Sequence, residues 1–329
     1  MNRIKPMVRF GVLGTGRITR RLIADLQSTD KAQVTAIASR SKSRAQWCAD
    51  QYGIVNPVGS YDELLRRDDV DAIYIALPPS LHYPYSIATA EHSKDLLCEK
   101  PLTIKAKETI EINRLFGERQ KRWLDATGWL HHPRTSAFHR WVTDGTLGEI
   151  GHLSAALSFY QPFQSNDHRL DPSLGGGCLL DLGWYVCGFT RFFTGKLPIA
   201  ISADVLLKND VSQRFNAMLW FDNDVTATVS CGYDTATRKW FEVAGSAASL
   251  ICDDFTRPWH DRPTRCWIHE SSGKVHSHTF EGNQERKMIQ TFIGNESLET
   301  FQQQAIDTQK ILDAASESIA SGKVVSILS

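Results

Sequence analysis

Val8-Arg9-Phe10-Gly11-Val12-Leu13-Gly14-Thr15-Gly16 is the stretch that decides the fold of this chain. Val8 to Leu13 reads as a buried strand. A glycine turn follows, then a helical stretch from Arg17 to about Gln27. Gly14 permits the tight turn. Gly16 lets the backbone approach a pyrophosphate, which then faces the free N–H groups and positive dipole end of the helix. The expectation is a dinucleotide cradle formed by Gly11, Gly14, Thr15, Gly16, Arg17 and Ile18. Thr19 stands where Gly or Ala is usual, so a larger residue must fit where helix meets strand. The alternative is a turn that holds no ligand.

Working outward, apolar strands alternate with helices. Val34–Ala38, Ala72–Leu77, Asp95–Cys98 and a segment near Trp123–Thr127 read as strands. Lys42–Tyr52, Tyr83–Ser93 and Thr103–Gln120 read as helices. This alternation implies an α/β fold, with a parallel sheet covered on both faces and wound by right-handed crossovers. Ligands of such sheets bind at the carboxyl ends of the strands. Residues 1–128 are expected to form this NAD(P)-binding Rossmann domain, and a last segment, about 323–329, is expected to return to it.

The whole chain has 329 residues, which favours two domains. Its 37 basic and 37 acidic residues cancel, so no nucleic-acid or acidic-membrane partner is expected from the total charge. No stretch approaches the ~20 apolar residues of a membrane span. The seven cysteines are scattered and form no C-x-x-C pair, which suggests free thiols in a reducing cytoplasm rather than a metal site. Adjacent His131 and His132 lack a nearby acidic or Cys partner at ligand spacing, and no metal is expected.

The loop after the second strand reads Ala38-Ser39-Arg40-Ser41-Lys42-Ser43-Arg44, without the acid that accepts from the ribose hydroxyls of NAD. Arg40 can stack on adenine and pair with a 2′-phosphate, Ser39 can donate to the same group, and Arg44 adds charge. NADP is therefore expected in preference to NAD, against the alternative of a solvated basic loop.

Glu99-Lys100-Pro101 after a strand, together with Gly11-x-x-Gly14-x-Gly16 upstream, resembles the Gfo/Idh/MocA family of oxidoreductases. Ala76-Leu77-Pro78-Pro79-Ser80-Leu81-His82 resembles that family's third-strand loop, with Pro79 where Asn is common. The resemblance adds Leu77, Pro78, His82, Glu99, Lys100 and Pro101 to the cofactor-binding set, and implies a cis Lys100–Pro101 peptide. Chemistry agrees: a lysine at the end of a central strand can hold a substrate hydroxyl or lower the pKa of an adjacent acid/base group. The alternative is a lysine snorkelling to solvent.

Residues 129–322 are expected to form an α+β domain with a large open, mainly antiparallel sheet, from strands between Ala200 and Phe280. The helix from Ser297 to Ser321 carries an apolar stripe. The densest signal is Arg169 through Gly175-Gly176-Gly177 to Asp181 and Tyr185. Asp181 and Tyr185 are four apart and so share a helix face. The resemblance matches this to a family pattern of glycines, Asp, then His or Tyr, in the Tyr version of glucose–fructose oxidoreductase, dimeric dihydrodiol dehydrogenase and xylose dehydrogenase.

It implies Lys100, Asp181 and Tyr185 as catalytic residues. Tyr185 acts as acid/base, aided by Lys100, and Asp181 orients substrate or Lys100. Trp129, His131 and Arg169 complete the substrate contacts. The substrate is a small hydroxy or carbonyl compound: a sugar, polyol or dihydrodiol. A homodimer or homotetramer through the C-terminal sheet is also implied. Two alternatives stand beside this: a dinucleotide-binding sensor without turnover, and an enzyme that re-reduces its own product on a retained cofactor.

Overall fold

The computed structural model describes residues 7–160, 162–258 and 263–327. The chain clusters into two compact units. The first comprises residues up to Thr103, Lys107–Thr127 and Asn283–Gln303; the second comprises Ile104–Ala106, Gly128–Gly282 and the chain from Gln304 onward.

In the first unit, β1 (Val8–Leu13), α1 (Arg17–Gln27), β2 (Ala32–Ala38), α2 (Lys42–Tyr52), β3 (Asn56–Val58), α3 (Tyr61–Leu65), β4 (Ala72–Ile75), α4 (His82–Glu91), β5 (Asp95–Cys98), α5 (Ala106–Glu118) and β6 (Trp123–Asp125) follow in order. Among the described residues the strands form a six-stranded sheet ordered β3-β2-β1-β4-β5-β6. Its pairs are parallel. This is the doubly wound order in which the chain reverses direction beside β1 and opens a crevice at the carboxyl ends. Strands buried on both faces need continuous apolar runs, and Ala72-Ile73-Tyr74-Ile75 is fully buried.

α9 (Gln284–Ile293) also belongs to this unit. The expected boundary left it in the other domain, and the reason it moves is packing. Met288, Ile289 and Phe292 join the core cluster of Phe10, Val12, Leu26 and Val34, and the Phe292 ring lies 5.9 Å from that of Phe10. Polar ties fix it further: Asn283 Nδ2 donates to Asp25 Oδ1 at 2.8 Å, and Arg122 donates to the carbonyls of Thr291, Phe292 and Glu296.

The second unit contains α6 (Pro133–Thr143), β7 (Ile150–Ser158), α7 (Cys178–Asp181), α8 (Gly183–Thr194), β8 (Ala200–Lys208), β9 (Val211–Trp220), β10 (Thr226–Gly232), β11 (Arg238–Gly245), β12 (Ala248–Cys252), β13 (Thr264–Glu270) and β14 (Val275–Phe280). α10 (Glu299–Ser321) begins in the first unit and continues into the second, and β15 (Val325–Ser326) closes the described chain. Among the described residues the second sheet has nine strands ordered β14-β13-β12-β11-β7-β10-β9-β8-β15, of which only β7 and β10 pair in parallel. Period-two alternation sends Phe215, Ala217 and Leu219 of β9 to the buried face and leaves Arg214, Asn216 and Met218 outside. Aromatic rings fill that buried side: Phe241 meets Phe189, Phe193, Phe138 and Phe255 at 4.6 to 5.5 Å.

One expectation is corrected here. The C-terminal segment does not return to the Rossmann sheet: Val325 and Ser326 pair with Ile201 and Ala200, because β8 offers a free edge. Residues 328–329 of that segment lie outside the described residues. α10 buries Ala305, Thr308, Ile311, Leu312 and Ala315 of the expected stripe, and Gln304, Asp307 and Gln309 as well. Most of their polar atoms are satisfied internally: Gln304 donates to Gly188 O, Asp307 pairs with Arg191 at 2.9 Å, and Gln309 Nε2 donates to Asp313, although Gln309 Oε1 is buried without a partner among the described residues. Of the loop at 257–265, residues 259–262 lie outside the described residues.

Candidate active site

The carboxyl ends of β1, β2, β4 and β5 carry the first group of candidates. Gly14 has φ +110°, and a Cβ there would meet the Ala76 carbonyl oxygen at 2.5 Å. Its N–H donates to Ala38 O, and Ala76 N–H donates to Leu13 O, so the turn is tied to both neighbouring strand ends. Gly16 is different: it is exposed, and nothing lies within 4 Å of its Cβ position. It is also the N-cap of α1, with no side chain capping the helix and no acid in its first turn. By contrast, Ser41, Ser60 and Asn283 cap α2, α3 and α9. An uncapped 11-residue helix leaves orphan N–H groups and positive dipole facing the loop. A dinucleotide pyrophosphate matches that helix end in charge and in hydrogen-bonding sense.

Gly11 has another reason to be glycine. It lies inside β1, and a Cβ would sit 2.4 Å from Leu64 Cδ2. Thr15 is nearly buried, Arg17 is exposed and Ile18 half-buried. Thr19 is fully buried, so the helix–strand contact accommodates the larger residue.

Ser39 is buried at the end of β2, and Arg40 and Arg44 are exposed beside it. A residue missed in the sequence joins them. Tyr61, nearly buried at the start of α3, lies near both arginines. Burial raises its phenol pKa, while the charges of Arg40 and Arg44 oppose the rise. Its ring stands edge-on to Tyr85 at 5.1 Å. No local pattern marked Tyr61, because the chain reaches Arg40 only through the strand order.

The Lys100–Pro101 peptide is cis. His82 is buried, with Nδ1 2.7 Å from Pro101 O and Nε2 2.8 Å from Leu77 O. One imidazole thus joins the Leu77-Pro78 turn to the Glu99-Lys100-Pro101 turn. Tyr74 donates to Glu99 Oε1 at 2.8 Å. Beneath these turns lies Asp125, fully buried at the end of β6 and accepting a hydrogen bond from the Thr127 hydroxyl. Burial pushes its pKa up to about 6, with Glu99 adding to the rise and Thr127 opposing it. Cys98 is buried, and burial followed by the Glu99 charge raises its thiol well above the ordinary value, which makes it a poor nucleophile.

The second group lies in the second unit. Arg169 Nε donates to Asp181 Oδ2 at 2.8 Å, and its Nη1 donates to Asp167 Oδ1 at 3.3 Å. Burial pulls the Arg169 pKa down, but Asp181, Tyr233 and Asp167 outweigh it and the net direction is up. Gly176 needs to be glycine because a Cβ would lie 2.7 Å from the carbonyl oxygens of His168, Arg169 and Asp171. Gly177, at φ +101°, would clash with Ser212 Oγ at 2.4 Å; that hydroxyl instead accepts from Leu179 N.

Asp181 and Tyr185 do not share one unbroken helix. Asp181 ends α7, Leu182 interrupts at φ −104°, and Tyr185 lies in the first turn of α8, with its N–H donating to Leu182 O. Tyr185 is half-buried. Trp129 is 2 % exposed, with its ring edge-on to Phe192 and Phe255. His131 is buried beside it in the same turn. Burial, with Arg134 adding, lowers His132 to about 4. Among the described residues no group of three or more His, Cys, Asp or Glu is placed to hold a metal ion, and no helix is long and apolar enough to cross a membrane.

Comparison with known proteins agrees with this geometry. The model of the oxidoreductase family with NAD-binding Rossmann fold, GFO/IDH/MocA, matches residues 8–125, and that of the GFO/IDH/MocA C-terminal domain matches residues 135–251. The D-xylose 1-dehydrogenase (NADP(+)) 2 of Haloferax volcanii is 29% identical over 327 residues, covering 97% of this chain and 99% of that protein. The dTDP-3,4-didehydro-2,6-dideoxy-alpha-D-glucose 3-reductase of Streptomyces violaceoruber is 36% identical over 262 residues, covering 78% and 76%. A solved 3-ketoreductase of Actinomadura kijaniata, in complex with NADP and TDP-benzene, superposes with a TM-score of 0.90 at 27% identity, covering 96% and 98%.

Proposed function

The chain belongs to the Gfo/Idh/MocA family of oxidoreductases, and from that premise we propose that it uses NADP to interconvert a hydroxyl and a carbonyl on an uncharged sugar or polyol. The observation that carries the reading is the uncapped N-terminus of α1 behind Gly14 and Gly16, beside an acid-free β2 loop bearing Arg40 and Arg44. Gly14, Thr15, Gly16, Arg17 and Ile18 take the pyrophosphate. Ser39, Arg40 and Arg44 take the 2′-phosphate, which supports NADP, as do the NADP(+) xylose dehydrogenase and the 3-ketoreductase solved with NADP. Leu77, Pro78, His82, Glu99 and Pro101 shape the nicotinamide end.

When bound, the nicotinamide supplies or accepts the hydride. Tyr185 gives its phenolic proton to the substrate oxygen during reduction and takes it back during oxidation. Lys100 favours the phenolate by its charge, and Asp181 orients the substrate. His131 adds a contact. Arg169 bears on the substrate class. It is engaged by both Asp181 and Asp167, so its charge is already balanced. A sugar carrying a diphosphate would find no surplus positive charge at this pair, whereas hydroxyls find acceptors.

We also propose a homodimer or homotetramer assembled through the nine-stranded sheet, on whose strands Leu206, Leu207, Met218 and Val275 are exposed. The seven buried, unbridged cysteines suit a reducing cytoplasm. The decisive experiment pairs fluorescence titrations with NADPH and NADH with a turnover screen of D-xylose, other aldoses and polyols against a dTDP-sugar. NADPH preference and turnover of a free sugar are expected. Binding of neither cofactor would sink the proposal.

A further inference from the structure

Tyr233 lies just beyond β10 and carries no sequence signal, yet its hydroxyl donates to Asp181 Oδ2 at 2.8 Å, the same oxygen that takes Arg169 Nε. The phenol cannot drift from this contact. It is 2 % exposed, its backbone N–H is held by Gln213 O at 3.0 Å, and its ring is wedged against Phe163 at 4.9 Å and Phe159 at 5.6 Å. Burial and then the Asp181 charge raise its pKa well above the ordinary value, so it stays the proton donor in the pair. Arg169 is braced too, by Asp167 and by the face of Phe163 at 5.6 Å. Asp181 is the last residue of α7, one turn before Tyr185.

We infer that Tyr233 is a positioning residue for the reaction: with Arg169 it grips one carboxylate oxygen of Asp181 from two directions, and so fixes the torsion with which Asp181 meets the substrate. The inference rests on the reading of Asp181 given above. Two donors on one oxygen define a direction; one donor leaves the carboxylate free to swing about it. Small misplacements of an orienting group cost up to about a hundredfold in turnover.

The test is a double-mutant cycle in the full chain, Tyr233→Phe, Asp181→Asn and both, assayed with NADP and D-xylose or the best substrate of the screen. Phenylalanine keeps the ring packing and removes only the hydroxyl. Tyr233→Phe is expected to lower kcat roughly 10- to 100-fold, with NADPH affinity unchanged and KM within about threefold. In the Asp181→Asn background the further loss should nearly vanish, because the hydroxyl acts only through that carboxylate. A merely structural role would instead add its loss to both backgrounds and lower Tm in step with kcat. Unchanged kcat in Tyr233→Phe, or full additivity, overturns the inference while leaving the role of Asp181 standing. Full activity in Asp181→Asn, or no turnover by the wild type, overturns the underlying reading and this inference with it.

Discussion

Tyr74, in the interior of β4, donates a 2.8 Å hydrogen bond to Glu99, the first residue of the Glu-Lys-Pro turn. The backbone repeats the tie, since Glu99 N–H donates to Ile75 O at 2.9 Å. Glu99 is thus anchored to the neighbouring strand by main chain and side chain together. This makes it a holder of the turn rather than an acid/base group. Lys100 is the next residue, and the direction in which it leaves the sheet is set by that anchor and by His82 on the Pro101 carbonyl.

The two glycines of the first turn are predicted to fail differently. Gly14→Ala strains a φ of +110° and forces a Cβ onto the Ala76 carbonyl, so a loss of about 2 kcal/mol or more in stability is expected. Gly16→Ala has open space at Cβ. It should melt within a few degrees of wild type yet bind NADPH at least tenfold more weakly, because the methyl enters the pyrophosphate cradle. Thermal melts and fluorescence titrations separate the two. Tight NADPH binding by Gly16→Ala would place the phosphates elsewhere.

Arg40→Ala should weaken NADPH about 10- to 100-fold while changing NADH less than about threefold, as loss of a charge-assisted phosphate contact predicts. The preference should also shrink as salt rises, because Arg40 is exposed. Equal losses for both cofactors would mean that Arg40 stacks on adenine without reading the 2′-phosphate.

Tyr185→Phe and Lys100→Met should each lower kcat by about 10²- to 10⁴-fold with NADPH binding largely kept, the range for removing an acid/base group or its support. Under the proposed mechanism, the double variant should lose far less than the product of the single effects. Activity retained by Tyr185→Phe would turn attention to another proton donor.

Asp125 makes a pH-dependent claim on stability. Its folded pKa, about 6, lies above the ordinary aspartate value, so the folded protein binds this proton more tightly than the unfolded chain does. Its contribution is therefore neutral below pH 4, turns unfavourable as pH rises from about 4 to 6, and stays unfavourable above, by on the order of 3 kcal/mol. Asp125→Asn keeps an acceptor for Thr127 and cannot ionise. Its Tm relative to wild type should be several degrees higher at pH 8 than at pH 4. The same difference at both values would show that folding does not raise the Asp125 pKa.

Much of the first unit was legible because its signals are local. The strand Val8–Leu13, the turn at Gly14 and the Glu99-Lys100-Pro101 turn each declare themselves within a few residues. β3 was not seen: Asn56-Pro57-Val58 is too short for periodicity to register. What pairing brings together also stayed hidden. Tyr61 lies near Arg40 across 21 positions, and Tyr233 reaches Asp181 across 52. The helix break at Leu182 was invisible because Leu favours helix, and only backbone geometry records it. The placement of α9 failed for a related reason: an amphipathic helix reveals that it has a buried face, but not which core receives it.

That placement has a consequence for any attempt to recombine parts of this chain. A fragment ending after Thr127 would carry all six parallel strands but lack Met288, Ile289, Phe292 and Leu298, leaving Phe10 and its neighbours facing water. Losing one buried phenylalanine of this kind typically costs about 3–5 kcal/mol, a large part of a domain's whole stability. The nucleotide-binding half is therefore not a severable cassette. A chimera with a relative inherits a sound Rossmann core only if residues 283–303 travel with the N-terminal segment, as two pieces of one inheritance.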